Sequence, residues 1–184
     1  MVKYMKKKIG LLLILIMLFV SGCSSSATDS VKKYLDNYKN LSPNVLADMK
    51  EVIAKENLNE ENEKKYEEIL KKQYTDLTYE IENEEYNGDE ATINVKITVY
   101  NLYKSQKDSL TYLAENENEF KDFDGKYDAS KFITYKLDKM KETNERVSYT
   151  IDFYVVNTSD GWTLSSLSNS DLEKIHGIYD YDLN

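Results

Sequence analysis

Apolar positions between residues 29 and 70 recur every three or four residues, which is the spacing of amphipathic helices. The pattern predicts three helices, which we expect Asp29, Ser42 and Asn59 to cap. Pro43 follows Ser42 directly, where the first helical position favours proline. The predicted apolar faces are Val31, Tyr34, Leu35 and Tyr38, then Val45, Leu46, Met49, Val52 and Ile53, then Tyr66, Ile69 and Leu70.

Strict alternation of apolar and polar residues replaces the helical spacing after residue 76, and it predicts a β-hairpin with one buried and one wet face. A loop that keeps Ile81 opposite Ile93 on the buried face has three residues, 86–88, with Gly88 in the left-handed bulge position. We therefore expect this bulged loop rather than a two-residue turn. The predicted inward positions are Leu77, Tyr79, Ile81, Ala91, Ile93, Val95, Ile97 and Val99.

Two further helices separate this hairpin from a second one. Ser105 and Asp108 have the spacing of a capping box, and Asp128 can cap the next helix. The expected inward residues of the two helices are Leu110, Leu113 and Ala114, followed by Phe132, Ile133, Leu137 and Met140. In the second hairpin, the inward positions are Val147, Tyr149, Ile151, Phe153 and Val155, and Trp162 and Leu164 lie on the return strand.

The chain ends in a short predicted helix, and the complete pattern defines the fold class. Ser170 and Glu173 form a capping-box pattern, and Gly177 is the expected stop. Asp160-Gly161 marks the second hairpin turn. Strands that pair as hairpins, with helices on one face, give an α+β fold. We predict one domain over residues 28–184, with N-terminal helices packed on a curved, mostly antiparallel four-stranded sheet whose two hairpins are separated by a helical insertion.

The first 22 residues are patterned differently from the domain. Four lysines among residues 3–8 precede an apolar run over residues 9–20, and small residues follow. A basic start, a short apolar core and a small-residue end are typical of an export signal. A transmembrane helix is the alternative, but it needs about 20 apolar residues. The shorter run favours a cleaved signal peptide over residues 1–22.

The run Val20-Ser21-Gly22-Cys23 resembles the lipobox of bacterial lipoproteins. The resemblance implies cleavage between Gly22 and Cys23 and a diacylglyceryl group on the Cys23 sulfur. Two acyl chains anchor a protein stably to a membrane. The protein is then expected on the extracytoplasmic face of the cell membrane, with residues 23–27 as lipidated cysteine and short tether. Ordinary secretion, with Cys23 present by chance, is the alternative.

The cysteine content excludes intramolecular disulfides, and the net charge limits the classes of partner that the chain is expected to bind. The chain has one cysteine, so no intramolecular disulfide can form. Without residues 1–22 the chain would carry 20 basic and 33 acidic residues, a net charge of −13. Such a charge opposes contact with phosphate backbones, so we expect no nucleic-acid partner. The charge is interpreted first as keeping a surface protein soluble. A cell-envelope protein, a basic surface, a metal cation or a small molecule remains compatible with it as a partner.

Two groups of residues are candidates for metal binding or catalysis. His176 is the only histidine, and without further His or Cys ligands nearby it is expected to be a packing or surface residue rather than a zinc ligand. Asp122, Asp124 and Asp128 offer the oxygen ligands that calcium prefers. Their spacing departs from the EF-hand loop, so a solvated loop with a cap at Asp128 is the alternative. No cofactor and no catalytic residue is predicted.

A broader resemblance involves the second hairpin and the end of the chain. With the lipobox and the helices before them, residues 156–164 (VNTSDGWTL) and 176–179 (HGIY) are similar to small Gram-positive lipoproteins of unknown function that carry a nuclear transport factor 2-like domain. The resemblance implies a cone in which a curved sheet wraps around helices. Such cones often hold a ligand or an active site. Enzymes of this group place acids and histidines inside the cone, whereas the inward positions here are nearly all apolar or tyrosine.

Three functional hypotheses remain open at this point. The chain is a membrane-tethered binding or interaction module, a passive accessory lipoprotein without a ligand, or an enzyme of the same fold. An enzyme needs at least two ionisable side chains directed into one cavity. A cavity lined by some of the 16 tyrosines would favour the binding module. A cone filled by Ile, Val, Phe and Leu would contradict small-molecule binding in the cone and would turn attention to the outer sheet face and to partner proteins.

Overall fold

The computed structural model describes residues 26–182, which contain six α-helices and one four-stranded antiparallel sheet. The α+β class predicted from the sequence is confirmed. The helices are α1 (Ala27–Lys39), α2 (Pro43–Lys55), α3 (Glu60–Thr75), α4 (Leu102–Glu115), α5 (Ala129–Glu142) and α6 (Asn169–His176), and a 3₁₀ helix spans Glu117–Phe120. The strands are β1 (Thr78–Asn87), β2 (Glu90–Tyr100), β3 (Arg146–Thr158) and β4 (Gly161–Leu164).

The sheet has the order β1-β2-β3-β4, so the two hairpins meet through the central pair β2 and β3. The predicted alternation is confirmed in both central strands: Ile93, Val95 and Ile97 are fully buried, and Phe153 lies opposite Ile93. The other face is polar, with a 2.6 Å hydrogen bond from Asn94 to Asp152 across the strands. Helices α1, α3 and α6 contact the buried face, which makes the core a single layer between sheet and helices.

The first hairpin differs from the prediction in its loop. Asn87 pairs with Glu90, so the loop has two residues, Gly88 and Asp89, and the expected three-residue loop is wrong. The irregularity lies instead inside β1, where Ile81 pairs with Val95 and Asn83 with Asn94. This bulge at residue 82 brings Glu84, rather than an apolar residue, opposite Ile93. The bulge was unforeseen because alternation in the sequence shows the two faces and not the register.

Helix starts were the least accurate part of the sequence analysis. The caps at Asn59 and Asp128 are confirmed, since both side chains accept backbone N–H groups of the helices that they open. Ser42 directly precedes the proline of α2, but its side chain makes no capping hydrogen bond. The left-handed stop at Gly177 is also confirmed, with φ +73°.

Three predicted caps are wrong, and the true caps lie two to four residues earlier. Ser26 caps α1, with Asp29 as its capping-box partner at the third helical position. Ser168 caps α6 and receives the backbone N–H of Asp171. Asn101, rather than Ser105, caps α4. Each predicted residue was an acceptable cap, but the earlier one has an extended backbone or a side chain placed to receive the N–H. Residues 26 and 27, expected in the tether, therefore belong to α1 and its cap.

The inward face of α4 was predicted wrongly for two of its three residues, and the third, Leu113, is half-buried. Leu110 is 56% exposed and Ala114 is exposed, whereas Leu102 and Ser109 are buried. Ser109 donates to the carbonyl of Ser105 one turn earlier, which satisfies its hydroxyl inside the bundle. A small residue at this position allows α4 to lie close to α5. The face of α5 was predicted correctly, with Phe132, Leu137 and Met140 buried and Ile133 half-buried.

Candidate functional site

The layer between sheet and helices has no room for a ligand among its largest side chains. Leu35, Leu70, Ile93, Ile151 and Phe153 are each at most 1% exposed. Their packing fills the region in which the family resemblance implies an open cone. A ligand site in this domain therefore has to lie at the margin of the core.

A groove of about 520 Å³ lies at that margin, between α1, α2, the end of α3, the segment after β4 and α6. We call it the tyrosine groove, because Tyr34, Tyr38 and Tyr74 line it beside His176. Its apolar walls are formed by Val45, Met49, Val52, Leu164, Leu167 and Leu172. Predominantly apolar walls with a few convergent polar groups are the usual make-up of a small-molecule site, and this volume is within the usual range.

The aromatic rings of the groove form one connected cluster. The ring of Tyr38 stands edge-on to Tyr34 and to Tyr74, with centroid distances of 5.5 and 5.1 Å. Tyr74 is in turn 5.6 Å from the ring of His176. Edge-to-face contacts at these distances stabilise aromatic pairs beyond simple burial. The cluster is thus a fixed wall whose hydroxyl groups have defined positions.

Two hydrogen bonds set the polar groups of the cluster. The hydroxyls of Tyr34 and Tyr38 lie 3.4 Å apart. The hydroxyl of Tyr74 is 2.9 Å from Nδ1 of His176. Burial raises the pKa of Tyr34, Tyr38 and Tyr74, so all three remain protonated near neutral pH. Burial lowers the pKa of His176 to about 4, so its imidazole is neutral there as well. The floor of the groove consequently presents uncharged donors and acceptors.

Helix α6 carries His176 to the groove, and a buried amide fixes that helix. Gln73, fully buried in α3, donates to the carbonyl of Ile175 at 3.4 Å and accepts the N–H of Tyr100 at 3.0 Å. Gly177 ends α6 with its backbone against Tyr100, and the carbonyl of Gly177 accepts the N–H of Tyr103 at 2.8 Å. These contacts join α3, β2 and α6, so the position of His176 is determined by the core.

The rim of the groove is charged. Asp48, Glu51 and Lys55 lie along the exposed side of α2 and line the opening. Within residues 26–182, the structure shows no hydrogen bond or ion pair for the carboxylates of Asp48 and Glu51. Their negative charge is therefore available to a molecule that enters the groove.

A second groove, of about 420 Å³, lies between α4 and α5 and is lined mainly by polar side chains. Its lysines are already paired: Lys104 is 2.7 Å from Asp108, and Lys139 is 2.9 Å from Glu142. A ligand would have to compete with these internal contacts. The tyrosine groove is the better candidate site.

The aspartates weighed as calcium ligands have other contacts in the structure. Oδ1 of Asp122 accepts the N–H groups of Asp124 and Lys126, and Oδ1 of Asp128 accepts those of Ser130 and Lys131. These bonds shape the loop and start α5. Across residues 26–182, no group of three or more His, Cys, Asp or Glu side chains is arranged to hold a metal ion.

The sequence leaves His176 as either a packing or a surface residue; the structure shows it half-buried and packed against Tyr74, beside a groove that the sequence does not indicate. The sequence pattern assigns Tyr34 and Tyr38 to an apolar helix face. It gives no functional signal at Tyr74 or Asp48. The spacing of Tyr34 and Tyr38 does place both on one side of α1. However, His176 lies 102 residues after Tyr74, and nothing in a linear pattern indicates that they meet.

No protein-family model, curated protein or solved structure matches this chain. The predicted cleavage and lipidation residues, Gly22 and Cys23, lie outside the described residues. Among the helices within residues 26–182, none is long and apolar enough to cross a bilayer.

Proposed function

We propose that this protein is a lipid-anchored lipoprotein of the extracytoplasmic membrane face, whose nuclear transport factor 2-like domain binds a small molecule in the tyrosine groove. The observation that carries the binding function is the groove itself, a cavity with apolar walls, fixed tyrosine hydroxyls and a charged rim. The passive alternative predicts a filled core and no cavity; the core is filled, as it predicts, and the groove at the margin of the core is the feature that it does not predict. The order of helices, hairpin, helices and hairpin on one antiparallel sheet supports the family assignment at the level of topology.

The signal and lipobox support the membrane anchor, and the structure adds a distance limit to it. Three residue steps separate Cys23 from Ser26, the cap of α1, and they span at most about 11 Å. Tyr34 lies eight residues further along the chain, about 12 Å along the helix axis. The Cα atom of Tyr34 is therefore within about 23 Å of the Cα atom of Cys23, as estimated from these two backbone lengths. A ligand would be bound close to the membrane surface.

The anchor is tested by fractionation and intact mass. Wild-type protein should be recovered from membranes, with residues 1–22 removed and a diacylglyceryl group on the cysteine sulfur. Cys23→Ser should abolish the lipid and release the protein from the membrane fraction. Ser25→Ala, a neighbouring change that leaves the cysteine intact, should behave like wild type. Recovery of unmodified Cys23 from the membrane fraction would contradict the anchor.

Ligand binding is tested by thermal-shift screening with a blocked groove. Val52 is half-buried in the groove wall, so Val52→Trp should place an indole ring in the groove and obstruct ligand entry. Ala54 is exposed on the same helix, and Ala54→Trp supplies a control of equal size. Compounds that stabilise wild type and Ala54→Trp, but not Val52→Trp, are groove ligands. If a compound stabilises all three proteins equally, it binds elsewhere.

A further inference from the structure

One carboxylate at the rim of the tyrosine groove, that of Asp48, is close enough to influence the interior of the groove. Burial is the main cause of the raised pKa of Tyr34, Tyr38 and Tyr74, and the charge of Asp48 adds a lesser contribution at each of them. One exposed carboxylate on α2 therefore acts on hydroxyls that belong to α1 and α3. The negative potential of Asp48 reaches the floor of the groove.

Asp48 and Glu51 are three residues apart and lie on one side of α2. Lys55 is seven residues from Asp48, about 10 Å along the helix axis. The opening of the groove is thus negative at the Asp48 end and positive at the Lys55 end. The tyrosine hydroxyls and the neutral imidazole contribute no opposing positive charge to the negative end.

We infer that the tyrosine groove selects an amphipathic organic cation, with its ammonium group at Asp48 and Glu51 and its apolar part against Val45, Val52 and Leu172. The inference rests on the proposed binding function and adds the ligand class to it. A cation in this position is attracted by two carboxylates that lack an internal partner among the described residues. The apolar part of the ligand covers the exposed apolar wall of the groove, and both surfaces are thereby removed from water.

The charge of the ligand is tested with three unbranched six-carbon compounds that differ in their head group: hexylammonium, hexanol and hexanoate. Because the core described above lies within residues 26–182, the chain from residue 23 with Cys23→Ser is suitable for titration by ¹H–¹⁵N NMR. We expect hexylammonium to bind about fivefold more tightly than hexanol, the gain of one partly exposed ion pair. Hexanoate should bind most weakly, and resonances of the groove should shift.

Two variants, Asp48→Asn and Glu63→Gln, show whether binding of the cation depends on a carboxylate at the groove or on the net charge of the protein. Each removes one negative charge, but Glu63 is exposed near the start of α3 and outside the groove. Asp48→Asn should remove most of the roughly fivefold preference for hexylammonium over hexanol, and Glu63→Gln should retain it.

Three results would overturn the inference, and they can be told apart. If all three compounds bind in the groove equally well, the groove is a binding site without a preference for cations, and the proposed function stands. If Asp48→Asn and Glu63→Gln weaken hexylammonium equally, the net charge of the protein is responsible. If no compound shifts the groove resonances, both the cation preference and the proposed binding function fail.

Discussion

The hydroxyl of Tyr74 and Nδ1 of His176 are hydrogen-bonded at 2.9 Å, although 102 residues separate them in the chain. The bond joins the end of α3 to the last turn of α6 beside the candidate binding groove. Because the imidazole is buried, protonating it costs free energy. The burial of His176 therefore makes the stability of the domain sensitive to pH.

Acid should destabilise the folded state through His176. Its pKa is lowered by burial to about 4, against about 6.5 in an unfolded chain. Between these values the unfolded state binds more protons, so the free energy of unfolding falls as pH decreases from 6.5 to 4. The loss from this group is about 3 kcal/mol over that interval. Urea unfolding at several pH values measures it.

His176→Phe provides the comparison for this pH effect. The variant keeps an aromatic ring at the site but has no group that titrates, so its stability should depend less on pH between 4 and 6.5. Because His176 is the only histidine, its imidazole resonance in a one-dimensional NMR titration reports the pKa directly. An imidazole that titrates near 6.5, with parallel stability curves for both proteins, would show that the ring is not buried.

Gly177→Ala should destabilise the domain far more than Gly88→Ala. Both glycines have positive φ, +73° and +61°, which costs an L-residue about 1 kcal/mol. A Cβ at Gly177 would also contact the carbonyl oxygen of Tyr100 and the amide of Gln73, whereas nothing lies within 4 Å of one at Gly88. We expect losses of about 3 kcal/mol and about 1 kcal/mol. Equal losses in chemical denaturation would contradict the close packing of α6 on β2.

Gln73→Met should loosen α6 as well as lower stability. The change leaves the N–H of Tyr100 without its buried acceptor, at a cost of about 1–3 kcal/mol. Amide hydrogen exchange should then become faster in residues 169–177, because the bond to Ile175 is also lost. Gln106→Met, at a half-buried position of α4, is the control. If both variants leave exchange in α6 unchanged, Gln73 does not hold this helix.

Truncation to alanine at two adjacent residues of β3 should lower the free energy of unfolding by very different amounts. Phe153 is fully buried against the helices, and Tyr154 is 59% exposed on the outer face. Phe153→Ala should cost about 3–5 kcal/mol of unfolding free energy, and Tyr154→Ala about 0.5 kcal/mol or less. Urea unfolding of both variants gives the comparison. A large loss at Tyr154 would mean that the outer face is covered in solution.

The fold could be predicted from the sequence wherever one local signal determined the structure. Alternation identified the faces of β2 and β3. The cap at Asn59 was predicted correctly although Asn57, which has a φ of +49°, stands two residues before it. At Ser26 and Ser168 two acceptable caps competed, and the choice depends on where the helix meets the core. The bulge in β1 depends on the register between β1 and β2. The alternation of residues within one strand carries no information about that register.

The candidate site was far less predictable than the fold. Its parts come from α1, α2, α3, α6 and the segment after β4, and each part has an ordinary local explanation. Tyr34 and Tyr38 fit a helix face, Asp48 fits an exposed surface, and His176 fits a short terminal helix. Only the packing of α6 on Gln73 and Tyr74 brings these residues to one groove.

Crystals of the domain soaked with small amines, alcohols and carboxylic acids provide the most direct test of the central claim that the tyrosine groove is the binding site. We expect bound molecules between α1, α2 and α6, in contact with Tyr34, Tyr38 or His176. Amines should be the best represented of the three classes, with their nitrogen facing Asp48. Bound molecules that leave the groove empty and gather on the outer face of the sheet would contradict the account.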